Sequence, residues 1–309
     1  MKKTLNNILV TGAGGDSGLA TIRILTESNI YNVIAADASK NSTGLLFANK
    51  FRLIPLANDK SFINKLKNIV LTENIDAIFP NVDEELKIFS DKNNFPQAII
   101  SPSKTIDICY DKLKTLQKLK EKTYIPKYGK DCKDFPKIIK PRISRGSRNI
   151  YKVDSEYELN LLIEFLSINQ NITSDMLVIQ EYLPGKEYTV DCLFDFDGTF
   201  ILCIPRQRIS TKGGISTIGK TIHDNRFNKI IKDISNTIEF HGPINIQFKE
   251  DPSGKLKLLE INPRLSGGLP ITHKAGINLP DLALKLFNGE KLNNIDYNNI
   301  SVFRYLKEF

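Results

Sequence analysis

Between Pro243 and Gly268 the chain reads PINIQFKEDPSGKLKLLEINPRLSGG, and this stretch restricts the possible folds more than any other. Two short runs, Ile244–Phe248 and Leu256–Asn262, alternate in strand fashion around a cluster of turn residues, Asp251-Pro252-Ser253-Gly254, which is a hairpin signal. Successive strand residues point to opposite faces. In the first run the apolar residues therefore share one face and Asn245 and Gln247 the other. In the second run Glu260 and Asn262 share a face. A turn centred between Ser253 and Gly254 predicts Gln247 opposite Glu260 and Asn245 opposite Asn262. Four oxygen-bearing side chains then meet on one face, and the other face is apolar.

Glu260 lies between Leu258-Leu259 and Ile261, so its strand reads as buried, and a buried carboxylate is costly unless it is paired or bound to a cation. Two readings stay open. Carboxylate and amide oxygens are the donors Mg²⁺ prefers, with nucleotide phosphates completing its shell, and Arg264, two residues on, suits an anion. Alternatively, the ribbon simply has a polar face, with Glu260 paired to a lysine.

The first hundred residues alternate strand and helix. Ile8-Leu9-Val10 is a short buried strand, followed by Thr11-Gly12-Ala13-Gly14-Gly15-Asp16-Ser17-Gly18, a helix over about 19–28, and a strand at 33–36 ending at Asp37. This order matches a dinucleotide-binding pattern, but the spacing is G-x-G-G-x-x-G, and a strict G-x-G-x-x-G read from Gly12 meets Ser17. A strand at 51–55, an amphipathic helix at 60–72, a strand at 75–80 and a last strand at 98–100 continue the series and predict a parallel sheet. Ligands of such sheets lie beyond the carboxyl ends of the strands, where Gly14, Asp37, Asp83 and Glu84 fall. Ser101-Pro102-Ser103-Lys104 reads as a linker.

The middle of the chain is predicted to hold a helix over 106–121 that contains Asp111-Lys112, and strands at 135–141 and 149–153. The loop between those strands, Arg142-Ile143-Ser144-Arg145-Gly146-Ser147-Arg148, offers backbone N–H groups, hydroxyls and positive charge to a phosphate. A helix from Asp154 to about Asn169 follows, then a strand at 176–180. Next come Glu181-Tyr182-Leu183-Pro184-Gly185-Lys186-Glu187 and a strand at 190–194, a geometry able to meet an adenine edge by main chain and a ribose by carboxylate.

The chain of 309 residues carries 43 Lys and Arg against 35 Asp and Glu, a net charge of +8. These charges are dispersed, with no basic block interleaved with aromatics. A phosphate-bearing small ligand is therefore expected, and no nucleic acid. No apolar run reaches the ~18 residues of a membrane span, and the start lacks a signal-peptide core, so no membrane and a cytoplasmic location are expected. The four cysteines form no C-x-x-C pair, which argues against zinc and disulfide frameworks. The three histidines show no ligand spacing.

Taken in order, Asp111-Lys112, PKIIKPRISRGSRNI, QEYLPGKEYTVD and INIQF…LLEINPRLSGG resemble the ATP-grasp superfamily over nearly the whole chain. The likeness is greatest to half of a carbamoyl-phosphate synthetase large subunit and to the ligase of pyrrolysine synthesis. The resemblance implies an α/β and α+β ATP-grasp fold. Residues 1–103 would form an N-terminal Rossmann-like, parallel-sheet (pre-ATP-grasp) domain. Residues 104–309 would form the ATP-grasp domain, with a small lid over about 124–182 and a C-terminal mixed-sheet catalytic part over about 183–309.

The activity implied is ATP-dependent ligation of a small carboxylate to an amine through an acyl phosphate, with ATP and two Mg²⁺ ions, for which Mn²⁺ can substitute. Lys112 and Lys140 would contact phosphates under a lid formed by Ser144, Gly146 and Ser147. Glu181, Tyr182 and Leu183 would meet adenine and Glu187 the ribose. Gln247, Glu260 and Asn262 would hold the metal, and Arg264 with Lys140 would be catalytic. Substrate recognition is expected from Gly14, Asp83, Glu84, Arg206, Arg208, Lys212, Ser266, Gly267 and Gly268. The lid loop departs from the family in having only Gly146 among three arginines. An NAD-dependent dehydrogenase using the Gly12–Gly18 turn, and a non-catalytic ATP-binding protein, are the alternatives. Both substrates, and the choice between monomer and homodimer, stay open.

Overall fold

The computed structural model describes residues 4–144, 146, 148–305 and 307–308. Its first layer is a parallel sheet. Strand β1 (Asn7–Thr11) leads through the glycine turn into helix α1 (Asp16–Glu27), then β2 (Asn32–Asp37), β3 (Lys50–Leu53), α2 (Phe62–Thr72), β4 (Ala77–Phe79) and α3 (Asp83–Phe89). The sheet order is β3-β2-β1-β4, every pair parallel. Both faces are covered, as a parallel sheet requires. Leu9 and Ile34 point toward α2 and α3, whereas Ile8, Val10, Val33 and Ala35 point to α1. The predicted strand at 98–100 is reduced to a single parallel bridge, Ile78 to Ala98.

The glycine turn is explained by packing. A Cβ on Gly18 would stand 2.1 Å from the Gly12 carbonyl oxygen, and Gly12 itself has φ +68°. Only glycine allows α1 to start this close to the end of β1.

The predicted helix over 106–121 is two helices, α4 (Ser103–Cys109) and α5 (Lys112–Lys118). Asp111 separates them because its carboxylate accepts from the Leu113 and Lys114 N–H groups and caps α5. Such N-caps stabilise a helix by about 1 kcal/mol, and this one makes Lys112 the first residue of α5.

Next come β5 (Lys137–Pro141), β6 (Tyr151–Val153), α6 (Glu156–Gln170) and β7 (Leu177–Glu181), which form a three-stranded antiparallel sheet, order β6-β5-β7, beneath one helix. The rest is β8 (Glu187–Phe194), β9 (Phe200–Lys212), β10 (Ile215–Thr221), α7 (Asn225–Ser235), β11 (Gly242–Glu250), β12 (Leu256–Asn262), α8 (Leu269–Lys274), α9 (Leu279–Phe287) and β13 (Ser301–Phe303). Six of these strands make an antiparallel sheet, order β12-β11-β8-β9-β10-β13.

Strand β9 runs through Pro205 to Lys212, so Arg206 and Arg208 are strand residues. Pro205 is accommodated because its carbonyl still accepts from Ile222 N–H.

One face of the six-stranded sheet packs on α7 through Phe227, Ile231, Tyr188 and Phe248, all buried. Each fully buried side chain of this size contributes about 1.5–3 kcal/mol. Near its other face, Leu193 and Ile204 share a core with α8, α9 and α1. The C-terminal helices therefore fasten the parallel layer to the antiparallel one, which sets the cleft between them. Among the described residues no helix is long and apolar enough to cross a membrane.

Candidate active site

The predicted hairpin register is present: Asn245 pairs with Asn262 and Gln247 with Glu260. The route to it differs. Phe248 pairs with Leu258, so Leu259 is an extra residue, a β-bulge. A bulge resets strand alternation by one. It allows Leu256, Leu258 and Ile261 to share the buried face while Glu260 and Asn262 face the cleft. Strict period two would have put Glu260 on the face of Leu256 and Leu258. The strand is also less buried here than predicted, the Glu260 side chain keeping 25% exposure.

The bulge also supplies a ligand. The Leu259 carbonyl accepts from Lys140 Nζ at 3.1 Å, bringing the last part of β5 against β12. Lys112 Nζ reaches Glu260 Oε2 at 3.5 Å and donates to the Ser144 carbonyl at 2.9 Å and to Ser144 Oγ at 3.2 Å. Lys112 thus pairs with the Glu260 carboxylate, and Lys140 binds the backbone carbonyl next to it. Burial, and next the charge of Lys112, push Lys140 down to about 8, with Glu260 working the other way. For Glu260, burial disfavours the charge, but Lys112, the Asn262 amide and Lys140 outweigh it and hold the carboxyl below its ordinary value. Asn262 Nδ2 donates to Glu260 Oε1 at 3.1 Å and to Asn245 Oδ1 at 3.3 Å, and Asn245 Nδ2 donates to the Arg264 carbonyl at 2.9 Å.

A cleft of about 1080 Å³ separates the carboxyl ends of the parallel strands from this hairpin face. Gly14, Asp83 and Glu84 line one wall; Gln247, Glu260, Asn262 and Arg264 line the other, with Arg206, Arg208, Ser266, Gly267 and Gly268 at its side. Lys112 and Ser144 line a smaller adjoining cavity of about 140 Å³, which shares Glu260 and Asn262 with the cleft. Gly146 reaches the main cleft, near the Gly213 carbonyl at the β9–β10 tip, while neighbouring Lys212 is exposed and lies outside the cleft lining. Ser147 and Arg145 lie outside the described residues.

The remaining predicted residues fall into three groups. Glu187 is paired with Arg208 at 2.8 Å and Lys249 at 3.7 Å. Glu181 ends β7, and its N–H and Oε1 engage the carbonyl and N–H of Lys127. Tyr182 N–H donates to Pro136, and among the described residues the Leu183 N–H has no hydrogen-bond partner. Arg206 is almost wholly buried. It binds Asp191 through Nε and Nη2, both at 3.0 Å, and Ser266 Oγ at 2.8 Å. This is the ion-pair role that a buried arginine needs. A Cβ on Gly268 would collide with its Nη1 at 2.3 Å, which explains that glycine.

Asp191 was missed, although an acid between Val190 and Cys192 in a buried strand signals a partner. Asp37, at the end of β2, accepts from the Gly14 and Ser39 N–H groups at 2.8 and 2.9 Å and holds the turn.

One carboxylate and neighbouring amide oxygens facing a polar cleft are hard donors, too few for a closed protein cage but suited to Mg²⁺ shared with phosphate oxygens. Among the described residues no three His, Cys, Asp or Glu side chains form a metal-holding cluster. The donor set therefore fits Mg²⁺ rather than a structural zinc.

The family described as "ATP-grasp in the biosynthetic pathway with Ter operon" matches residues 173–308, and the "PylC-like, N-terminal domain" matches residues 8–99. The carbamoyl phosphate synthase large chain of Caldanaerobacter subterraneus subsp. tengcongensis is 30% identical over 216 residues, covering 63% of this chain and 20% of that protein. The chain thus spans about a fifth of the length of such relatives.

Solved structures share the fold. The biotin carboxylase domain of the Hydrogenobacter thermophilus 2-oxoglutarate carboxylase, in complex with MgADP, ADP and bicarbonate, superposes with a TM-score of 0.74 at 16% identity, over 96% of this chain and 73% of that one. The L-amino acid ligase from Bacillus licheniformis gives 0.71 at 16%, over 92% and 75%.

The family matches and the architecture together show an ATP-grasp fold. Within it, this chain joins a PylC-like N-terminal part to an ATP-grasp part similar to the carbamoyl phosphate synthase large chains.

Proposed function

We propose that the chain is an ATP-dependent carboxylate–amine ligase acting through an acyl phosphate. The pairing of Lys112 with Glu260, with Lys140 on the neighbouring Leu259 carbonyl and with Asn262 and Arg264 beside them at the cleft, carries this reading. In it, residues 1–103 form the N-terminal domain and 104–309 the ATP-grasp domain, with the lid at about 124–182.

Phosphoryl transfer asks a protein mainly for positioning and charge neutralisation. Lys112 and Lys140 bind the ATP phosphates. The Leu183 N–H and the end of β7 meet the adenine edge, and Glu187 takes the ribose. Gln247, Glu260 and Asn262 hold two Mg²⁺ ions, a role Mn²⁺ can fill. When bound, the metal neutralises charge developing on the transferred phosphoryl group. The substrate carboxylate attacks the γ-phosphorus and ADP leaves. An amine then displaces phosphate, with Arg264 steadying the anionic oxygens. The loop around Ser144 and Gly146 keeps water from the acyl phosphate. Glu84, Gly14, Arg208 and the Ser266–Gly268 turn border the space left for the carboxylate and amine.

The test is ADP release in Mg²⁺ across paired panels of small carboxylates (amino acids, dipeptides, sugar acids) and amines, with product mass measured. Formation of ADP together with a condensed product supports the proposal. ATP binding without ADP release on the whole panel rejects it in favour of a non-catalytic ATP-binding protein, and NADH-linked turnover without ATP consumption rejects it in favour of a dehydrogenase.

A further inference from the structure

Arg264 is gripped from the other half of the molecule. Its Nε and Nη2 donate to Asp83 Oδ1 and Oδ2 at 2.5 and 3.1 Å, and its Nη1 donates to the Leu265 carbonyl at 3.1 Å. Asp83 opens α3, just past the end of β4, and lies 181 residues earlier in the chain. Each side chain of the pair keeps 17% exposure at the cleft wall.

The backbone beside Arg264 is tied to the same sheet end. Ser17 Oγ lies 2.6 Å from Asn81 Oδ1 and 2.8 Å from the Leu265 carbonyl oxygen, and both Ser17 and Asn81 are buried. From the hairpin side, Asn245 holds the Arg264 carbonyl. The side chain and its backbone are therefore fixed from two independent sheets.

A guanidinium carries five N–H donors in a planar fork. These contacts use three of them and leave one on each Nη for an anion in the cleft. An arginine side chain held by nothing would sample many rotamers, at a cost of about 2 kcal/mol to order. The Asp83 clamp removes that freedom in advance. It also offsets the cost of burying the guanidinium, so Arg264 stays charged and is held above its ordinary value.

We propose that Asp83 is a positioning residue for Arg264, and that the N-terminal sheet serves the reaction by aiming this guanidinium into the cleft. The inference rests on the ligase reading above. It assigns Asp83 to Arg264 rather than to the substrate, and it gives the end of β4 a task unrelated to binding a nucleotide.

The test compares wild type with Asp83→Asn and Asp83→Glu on any carboxylate–amine pair that yields ADP, normalised to folded protein by thermal melting. Misaiming a transition-state contact by about 1 Å costs about 10²-fold. The expected result is a kcat about 100-fold lower in Asp83→Asn and about 10-fold lower in Asp83→Glu. The KM for ATP should stay within about twofold of wild type, because Lys112 and Lys140 are untouched. If Asp83→Asn does not fold, Asp83→Glu alone carries the test. An unchanged kcat in the folded variant overturns the assignment, as does a loss seen only as a raised KM for a substrate. Wild-type protein that forms no ADP overturns the ligase reading and this one with it; turnover in wild type equalled by the Asp83 variants overturns this one alone.

Discussion

Lys112 Nζ and Glu260 Oε2 stand 3.5 Å apart across the junction of α5 and β12. The lysine partner that the sequence reading offered for Glu260 is therefore present. Under the ligase reading proposed above, the same carboxylate would also serve as the metal ligand. A phosphate arriving with its cation can take both partners without uncovering a bare buried charge.

Glu260→Ala is expected to abolish Mg²⁺-dependent ADP formation, a drop of at least about 10³-fold, while the protein stays folded. Glu260→Gln, which keeps the shape and loses the charge, should behave alike. ADP release measured beside far-UV circular dichroism checks this, and wild-type turnover in either variant would refute the metal assignment.

Under the ligase reading, a lysine held near 8 should make ATP capture sensitive to pH. Lys140 is charged below about pH 8 and loses its charge as pH rises through that value. Because kcat/KM reports groups of the free enzyme, kcat/KM for ATP should fall above about pH 8. Lys140→Arg, which stays charged, should flatten that limb whatever its absolute rate. A pH profile of both proteins from 6 to about 10 decides it.

Glu85, buried beneath the glycine turn and accepting from Thr11 Oγ1 at 2.5 Å, is raised to about 8. Burial is the main cause, opposed by the Thr11 hydrogen bond, with Asp37 and Glu84 adding to the rise. The folded value exceeds the ordinary one of 4.5. Its contribution to stability is therefore fully present below about pH 4.5 and is lost as pH rises toward about 8. Glu85→Gln should melt higher than wild type at pH 8, by about 2–4 °C for each kcal/mol recovered, and the difference should shrink toward pH 5. Equal pH dependence in the two proteins would count against a protonated Glu85.

Arg206 and Asp191 are each about 1% exposed. Arg206→Met strands the Asp191 carboxylate and should cost about 3–5 kcal/mol in urea unfolding. The double variant Arg206→Met with Asp191→Leu should recover much of that loss. A double variant as unstable as the single one would mean that the pair is held by something other than its charges.

Much of the architecture was legible because it rests on local periodicity. The order of strands and helices from Asn7 to Phe79, the hairpin around Ser253-Gly254 and the polar face of β11 all follow from neighbours two or four residues apart, whereas helix α3 was not read. Errors fell where a side chain competes with that periodicity. Asp111 split a helix by capping its second half, and the strand near Ala98 shrank to one bridge. In the candidate site, residue types were readable, but their partners were not. Arg206 turned to Asp191, and Glu187 to Arg208. Neither pairing leaves a trace in spacing, since each is chosen by which strands lie side by side.

By itself, then, the sequence determined which residues could share a strand face and which turns needed glycine, because sterics and alternation act over a few bonds. Only the tertiary structure decided that Leu259 bulges, turning Glu260 into the cleft and handing a carbonyl to Lys140. Only it decided that Asp83 meets Arg264. Both outcomes depend on the docking of one sheet against another, where burying the apolar faces on either side fixes the distance across which the polar residues meet.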